Sequence, residues 1–399
     1  MPLTGKKILL GVSGGIAAYK SCELVRELRR RGATVRVMMT SRAQEFVTPM
    51  TFAALSEQPV LTNIFPEGRS AAIEHIDWSR WPEAIVLCPA TANLLAKLAQ
   101  GFADDPVSAT VRAARVPLVL CPAMNFAMWE DRLVQRNVAL LKENGYRFVD
   151  PEFGALATTA EGEGWGRLAR LDWILSEILV ALQKQKPLAG KKILVTAGRT
   201  EEYLDPVRMM TNPSTGRMGF ALAEAARALG GRVTLISGPT NLMPPYNVEF
   251  VPVVSAAEMA AAAQKHYAGT NILAMAAAVS DYRPRTMAPE KMKKTAASFQ
   301  LEFERTVDIL AALGEQKSRA LHIGFAVETE NELENAKDKL RRKRLDLIVL
   351  NNPRHAGAGF AAETNRVTLV DRNGQVQELE LMSKLAVAFK IFEQALRVN

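Results

Sequence analysis

Short, mostly apolar runs alternate along this chain with longer stretches in which apolar positions recur every three to four residues. Residues 8–12, 33–39, 84–88 and 116–121 are runs of the first kind and read as buried strands. Residues 16–31 are of the second kind. Ile16, Leu24, Val25 and Leu28 fall near one face, and Gly32 follows as a stop. Residues 171–184 read as another amphipathic helix, and the polar stretch that follows runs into Pro187, which cannot continue a helix. The pattern then restarts. Residues 193–196 read as a strand, 218–229 as an Ala-rich helix, and 232–237, 272–275, 321–325 and 345–350 as strands. Residues 366–370 and 376–381 flank Arg372-Asn373-Gly374 as a hairpin, and 383–396 form a closing helix. The expected fold is α/β, with two doubly wound parallel-sheet domains over residues 1–186 and 187–399.

One phrase occurs twice, PLTGKKIL at residues 2–9 and PLAGKKIL at 187–194. Each copy is a turn, a basic pair and a strand start, followed by a Gly-bearing loop, as two nucleotide-type domains would require. The first loop, GVSGG at residues 11–15, lacks the GxGxxG spacing of dinucleotide sites. It suits a mononucleotide phosphate at a helix N-terminus. The second, residues 199–217, is far longer than the usual βα loop of about 2–6 residues, as functional loops tend to be. Two strands of the first half run into PATAN (89–93) and PAMNFAMW (122–129). Small residues there let a flat ring lie close to backbone, and asparagines offer hydrogen bonds to its polar edges. These loops sit where a parallel sheet binds ligands.

A chain of 399 residues, 48% hydrophobic and 23% charged, has an ordinary globular balance. No apolar run approaches the roughly 20 residues of a membrane span, and no signal-peptide core is present, so a cytoplasmic protein without a membrane partner is expected. Cys22, Cys88 and Cys121 make neither a disulfide framework nor a zinc pattern. The net charge of +8 is spread out, without a basic tail or an RNA-binding pattern. It points to phosphorylated small molecules rather than nucleic acid.

The 11–20 stretch GVSGGIAAYK, His75, PATAN and PAMNFAMW together resemble the FMN-dependent cysteine decarboxylases, phosphopantothenoylcysteine decarboxylase above all, over about residues 5–180. The resemblance implies a flavodoxin-like flavoprotein domain. FMN would lie on Gly11, Ser13, Gly14, Thr40, Ala90, Thr91 and Asn93. In that family FMN takes a hydride from the substrate's cysteinyl side chain, and the thioaldehyde so formed lets the neighbouring carboxylate leave as carbon dioxide. His75 matches the catalytic base, a role its near-neutral titration suits. On its own, a histidine in Ile73-Glu74-His75-Ile76 reads as a strand-end or packing residue. Asn125 matches the residue that grips the substrate carboxylate. Thr158 stands where the family carries a cysteine that protonates the enethiolate. A hydroxyl is far less acidic than a thiol of pKa about 8.5. Either another group or water delivers that proton, or the cycle stops at the enethiol.

In the second half, DPVR (205–208), Asn212 with STGRMG (214–219), AAAVSDY (276–282) and KMKK (291–294) resemble phosphopantothenate–cysteine ligase over about residues 188–395. In bacterial members of that family the carboxylate of 4′-phosphopantothenate attacks CTP to give an acyl-cytidylate, and cysteine then displaces CMP. Carried over, Asn212 contacts the acyl-cytidylate and Lys291 stabilises developing charge. Asp281, Val307, Asp308, Ile309, Leu310, Phe325, Lys339 and Lys343 fall at cytidine-nucleotide positions, and Asp281 is the candidate Mg²⁺ ligand. Val307 replaces a common proline. The whole chain thus resembles the bifunctional coenzyme A biosynthesis proteins, whose packing implies a homo-oligomer with flavin-domain trimers and ligase-domain dimers. The rivals are a different flavin enzyme, or an active ligase fused to a flavin domain that stops at the enethiol or only binds and regulates.

Overall fold

The repeated phrase folds the same way twice. In the computed structural model, which describes residues 3–64, 74–158, 161–293, 300–317, 319–327, 331–352, 354, 357, 359 and 362–398, the chain divides into two units, Met1–Lys184 and Gln185–Asn399. Each begins with a turn closed by a lysine N–H. Lys6 donates to the Leu3 carbonyl and Lys191 to that of Leu188, both at 3.0 Å. The glycine inside each turn is left-handed, Gly5 at φ 74° and Gly190 at φ 75°, where a side chain would be strained. The strands Lys7–Val12 and Lys192–Ala197 follow, exposed at the leading lysine and buried thereafter. Strands buried on both faces belong in a helix-covered parallel sheet.

The first unit has a six-stranded parallel sheet. Its spatial order is Val60–Leu61, Thr34–Met39, Lys7–Val12, Ala84–Ala90, Leu118–Pro122, Arg147–Phe148. The doubly wound architecture is as expected, and the strand order is 3-2-1-4-5-6. The strand order reverses beside Lys7–Val12, and a crevice opens beyond the strand ends there. Leu9, Ile85, Leu87, Leu94, Leu98, Val107 and Leu120 are part of the core on one face.

Two local expectations change. The helix expected over residues 16–31 starts as a 3₁₀ turn, Ile16–Tyr19, before the α-helix Lys20–Arg30. The glycine loop enters tightly against the exit of the second strand: a Cβ on Gly14 would lie 2.4 Å from that of Arg42. His75 lies in a short helix, Glu74–Arg80, and not at a strand end. Arg36 stacks on Trp78 and Trp81 of that region, 5.4 and 4.4 Å from the ring centroids. Such tertiary contacts stabilise a helix too short to persist alone.

The second unit has an eight-stranded sheet. In spatial order it runs Glu249–Pro252, Arg232–Ser237, Lys192–Ala197, Ile272–Met275, Leu321–Val327, Leu347–Asn351, Val367–Asp371, Val376–Glu378. The first six strands are parallel and the last two add the expected antiparallel hairpin. Helices Arg217–Ala228 and Lys384–Arg397 cover one face, through Leu222, Ala225, Ile391 and Phe392. Within the long loop Glu201–Tyr203 pairs with Met209–Thr211, and beyond the fourth strand Tyr282–Pro284 pairs with Phe303–Arg305. Neither pairing was expected from the local pattern. Among the described residues no helix is long and apolar enough to cross a membrane.

Candidate functional site

In the first unit a cavity of about 940 Å³ opens at the strand ends where the order reverses. Ser13, Gly14, Thr40, Thr91, Asn93 and Asn125 line it, as does the hairpin formed by Glu152–Ala155 and Glu163–Arg167. Gly11 and Ala90 lie in the strands beneath and do not line it. A Cβ on Gly11 would come within 2.5 Å of the Leu87 side chain, so glycine there serves close packing. His75 is in the first turn of Glu74–Arg80, and its side chain lies outside the described residues.

The loops of the cavity are tied by their own polar groups. Ser13 Oγ donates to the Pro89 carbonyl at 2.7 Å and accepts the Thr91 N–H at 3.0 Å. Thr40, Thr91 and Asn125 are all helix N-caps, accepting from Ala43, Leu94 and Ala127. Capping fixes the Asn125 oxygen on Ala127 at 2.9 Å and aims its amide nitrogen away. That nitrogen donates to Glu161 Oε1 at 3.1 Å, while Glu161 Oε2 accepts the Thr158 N–H at 3.2 Å. The Asn125 bond, then that of Thr158, holds the Glu161 carboxyl below its ordinary range. Thr158 itself is exposed. Cys88 and Cys121 are buried and do not line the cavity.

Lys20, Arg42, Glu161 and Arg167 line the cavity without having been singled out as site residues from the sequence. Burial, then the nearby Arg167, pushes the Lys20 ammonium down. Among the described residues neither Lys20 nor Arg167 has a carboxylate within ion-pair distance, whereas Arg42 has Glu45 at 2.7 Å. A bound anion would relieve that local excess of positive charge. Gly14, Gly15, Ala92, Ala123 and Ala157 leave room for a flat ring beside it. Arg42 had a signal in the polar Thr40-Ser41-Arg42 directly after a strand end.

In the second unit the expected nucleotide residues meet. Lys343 Nζ lies 2.7 Å from the Asp308 carboxylate, and Lys339 Nζ donates to the Phe325 carbonyl at 2.8 Å. Lys339 is in the helix Glu332–Arg342, and Lys343 is its C-cap rather than a further helical residue. Burial works to raise the Asp308 carboxyl, but Lys343 and the Ala311 N–H outweigh it and the net shift is downward. Ile309 and Leu310 are buried in the core, so they offer a ligand only backbone. Asn212 donates to the Ala278 and Val279 carbonyls at 3.3 and 3.4 Å, which seats it on the loop that carries Asp281. Asp281, Lys291 and Val307 are exposed. Among the described residues Lys291 makes no hydrogen bond or ion pair, and no group of three or more His, Cys, Asp or Glu side chains could hold a metal by itself.

The flavoprotein family model matches residues 2–183. The model of the DNA/pantothenate metabolism flavoprotein C-terminal domain matches residues 188–398. The coenzyme A biosynthesis bifunctional protein CoaBC of Bacillus subtilis (strain 168) is 46% identical over 395 residues, 98% of this chain and 97% of that protein. This chain belongs to the CoaBC family. The CoaBC protein of Escherichia coli (strain K12) is 40% identical over 393 residues, 96% of each chain. The crystal structure of a CoaBC C-terminal domain is 44% identical, covers 54% of this chain and 98% of its own, and has a TM-score of 0.46. Both halves of the CoaBC family are thus present here, a flavoprotein domain followed by a DNA/pantothenate-metabolism-type C-terminal domain.

Proposed function

We propose that this chain catalyses two consecutive steps of coenzyme A biosynthesis in the cytoplasm. Residues 187–399 join cysteine to 4′-phosphopantothenate using CTP, and residues 1–186 decarboxylate the product to 4′-phosphopantetheine. The observation that carries this reading is the end-to-end likeness to CoaBC proteins over 98% of the chain. Both of its rivals leave one half of that likeness without a purpose.

In the ligase half, a carboxylate oxygen of phosphopantothenate bonds to the α-phosphorus of CTP as the bond to pyrophosphate breaks. Lys291 stabilises the charge that develops, and Lys339 and Lys343, held at Phe325 and Asp308, wall the nucleotide site. Asp281 would be the residue to hold Mg²⁺, which commonly takes only one or two protein carboxylates, and the ion would offset phosphate charge there. The cysteine amine then bonds to the acyl carbon and CMP leaves. Asn212 spends its amide hydrogens on Ala278 and Val279, so it presents an oxygen to the acyl-cytidylate and the incoming amine.

In the decarboxylase half, the residues fit FMN: Lys20 and Arg167 would hold an anionic group, and Gly14, Gly15, Ala92, Ala123 and Ala157 would leave room for a flat ring. Bound FMN supplies hydride acceptance and return. Asn125 presents its capped, pre-aimed amide to the substrate carboxylate, and His75 takes the substrate proton. Thr158 leaves to water the proton that the enethiolate takes at carbon, the step that restores a thioaldehyde able to accept the returned hydride. Flavin-domain trimers and ligase-domain dimers make up the proposed homo-oligomer.

The test supplies purified chain with phosphopantothenate, cysteine, CTP and Mg²⁺ and weighs the product. Phosphopantetheine is expected. A product lighter by two hydrogens would place the halt at the enethiol, and accumulated phosphopantothenoylcysteine would leave only the ligase half of the reading standing.

A further inference from the structure

Asp205 is fully buried in the long loop of the second unit, yet its own turn uses only one of its carboxylate oxygens. Oδ1 accepts the N–H groups of Val207 and Arg208, both at 2.8 Å, and closes the turn between Glu201–Tyr203 and Met209–Thr211. Oδ2 reaches 87 residues along the chain to the Met292 N–H at 3.2 Å. Arg208, whose Nη1 is 3.6 Å from that same carboxylate, donates through Nη2 to the Met292 carbonyl at 3.1 Å. A third tie lies just before these, where the Ala288 N–H donates to the Leu204 carbonyl at 2.9 Å. The 204–208 turn therefore grips the 288–292 segment at both ends.

Lys291 stands inside this grip with an exposed side chain. The Met292 N–H belongs to the same peptide plane as the Lys291 carbonyl, so a bond to it restrains the backbone of Lys291 directly. No other described group holds the lysine. Its ammonium rides on a flexible four-carbon stem, and only the backbone sets where that stem starts. We infer that Asp205 is a positioning residue for Lys291, holding the Lys291–Met292 peptide so that the lysine meets the charge developing on the nucleotide phosphate. This inference rests on the ligase reading of the second unit.

The burial of a carboxylate argues for more than a turn. Turn closure alone needs one acceptor, which a serine supplies without a buried charge. The second oxygen is spent wholly on the distant peptide and its arginine partner. Burial works to raise the Asp205 carboxyl, but the N–H groups of Val207, Met292 and Arg208 outweigh it and the net shift is downward.

The test uses the full-length chain and measures pyrophosphate release in a single turnover with CTP, Mg²⁺ and phosphopantothenate. Asp205→Asn keeps the turn but places an amide donor against the Met292 N–H. Asp205→Ser keeps the turn and leaves Met292 without a partner. Because a misplacement of about 1 Å costs roughly 10²-fold, both variants should lose about 10- to 100-fold in rate. The KM for CTP should stay within about threefold, the signature of an interaction made in the transition state. Both variants should still melt cooperatively, at a lowered temperature, and decarboxylation of added phosphopantothenoylcysteine should be unchanged. Adding Lys291→Ala to either variant should cost less than it does in the wild type, since the two act as one unit. Wild-type rates in both variants, or full additivity with Lys291→Ala, would overturn the positioning role alone. A wild-type chain that releases no pyrophosphate would overturn the ligase reading, and this role with it. If Asp205→Asn fails to fold, Asp205→Ser decides by the same readings.

Discussion

The side-chain amide of Asn125 donates to the carboxylate of Glu161 across 3.1 Å. The seat proposed for the substrate's carboxylate thus already holds one from the chain itself, fastened also by the Thr158 N–H. Like charges compete for such a seat. Glu161→Gln should lower the KM for phosphopantothenoylcysteine severalfold and leave kcat little changed, as read by carbon dioxide release. Asn125→Asp, which sets a carboxylate against a carboxylate, should abolish measurable decarboxylation while pyrophosphate release continues.

The hairpin that carries Glu161 lies directly on the Asn125 loop. Gly166 has φ 147°, its carbonyl accepts the Met124 N–H at 3.0 Å, and a Cβ there would sit 2.2 Å from the Met124 oxygen. Gly166→Ala should push the hairpin off that loop, at a cost on the order of 1–3 kcal/mol of local strain. The expected result is a raised KM for the decarboxylation substrate with unchanged ligase activity. Equal loss of both activities would mark a global folding defect instead.

Lys343 and Asp308 are joined at 2.7 Å beside the proposed cytidine nucleotide. Lys343→Met removes a cation from the phosphates and frees Asp308 to repel them. The KM for CTP should rise, and more steeply at low ionic strength, because screening weakens exposed charge interactions. Decarboxylation of supplied phosphopantothenoylcysteine is the internal control.

His322 is wholly buried. Its Nε2 is 2.6 Å from the Tyr267 hydroxyl, and its Nδ1 has no hydrogen-bond partner among the described residues. Burial, then the nearby Lys317, lowers its pKa from 6.5 to about 4, against the pull of Asp346. The unfolded chain therefore binds this proton at higher pH than the folded one. Stability is full above pH 6.5 and falls as pH drops toward 4, by up to about 3 kcal/mol from this group. Denaturant unfolding of the second unit between pH 7 and 4.5 should show that slope, and His322→Gln should flatten it.

Much of this protein was legible in its sequence because the signals were local. The apolar runs marked the principal strands, and the strand Arg232–Ser237 has the expected bounds. The hairpin near Asn373 followed from turn chemistry, and the doubled PLxGKKIL phrase foretold two similar units. Asn93 and Asn125 were picked out at strand ends, where parallel sheets gather ligands. Lys339 and Lys343 were paired by a spacing of four.

Other features were decided by partners far along the chain. The order of strands in each sheet, the helix Glu74–Arg80 beneath Arg36, and the pairing of Tyr282–Pro284 with Phe303–Arg305 depend on remote packing. Glu161 reaches Asn125 across 36 residues, and Asp205 reaches Met292 across 87. Periodicity reports which face of an element is apolar, and turn residues report where the backbone reverses. Neither records which distant N–H a buried carboxylate will meet, because that is settled only when packed elements bring the two within hydrogen-bond distance.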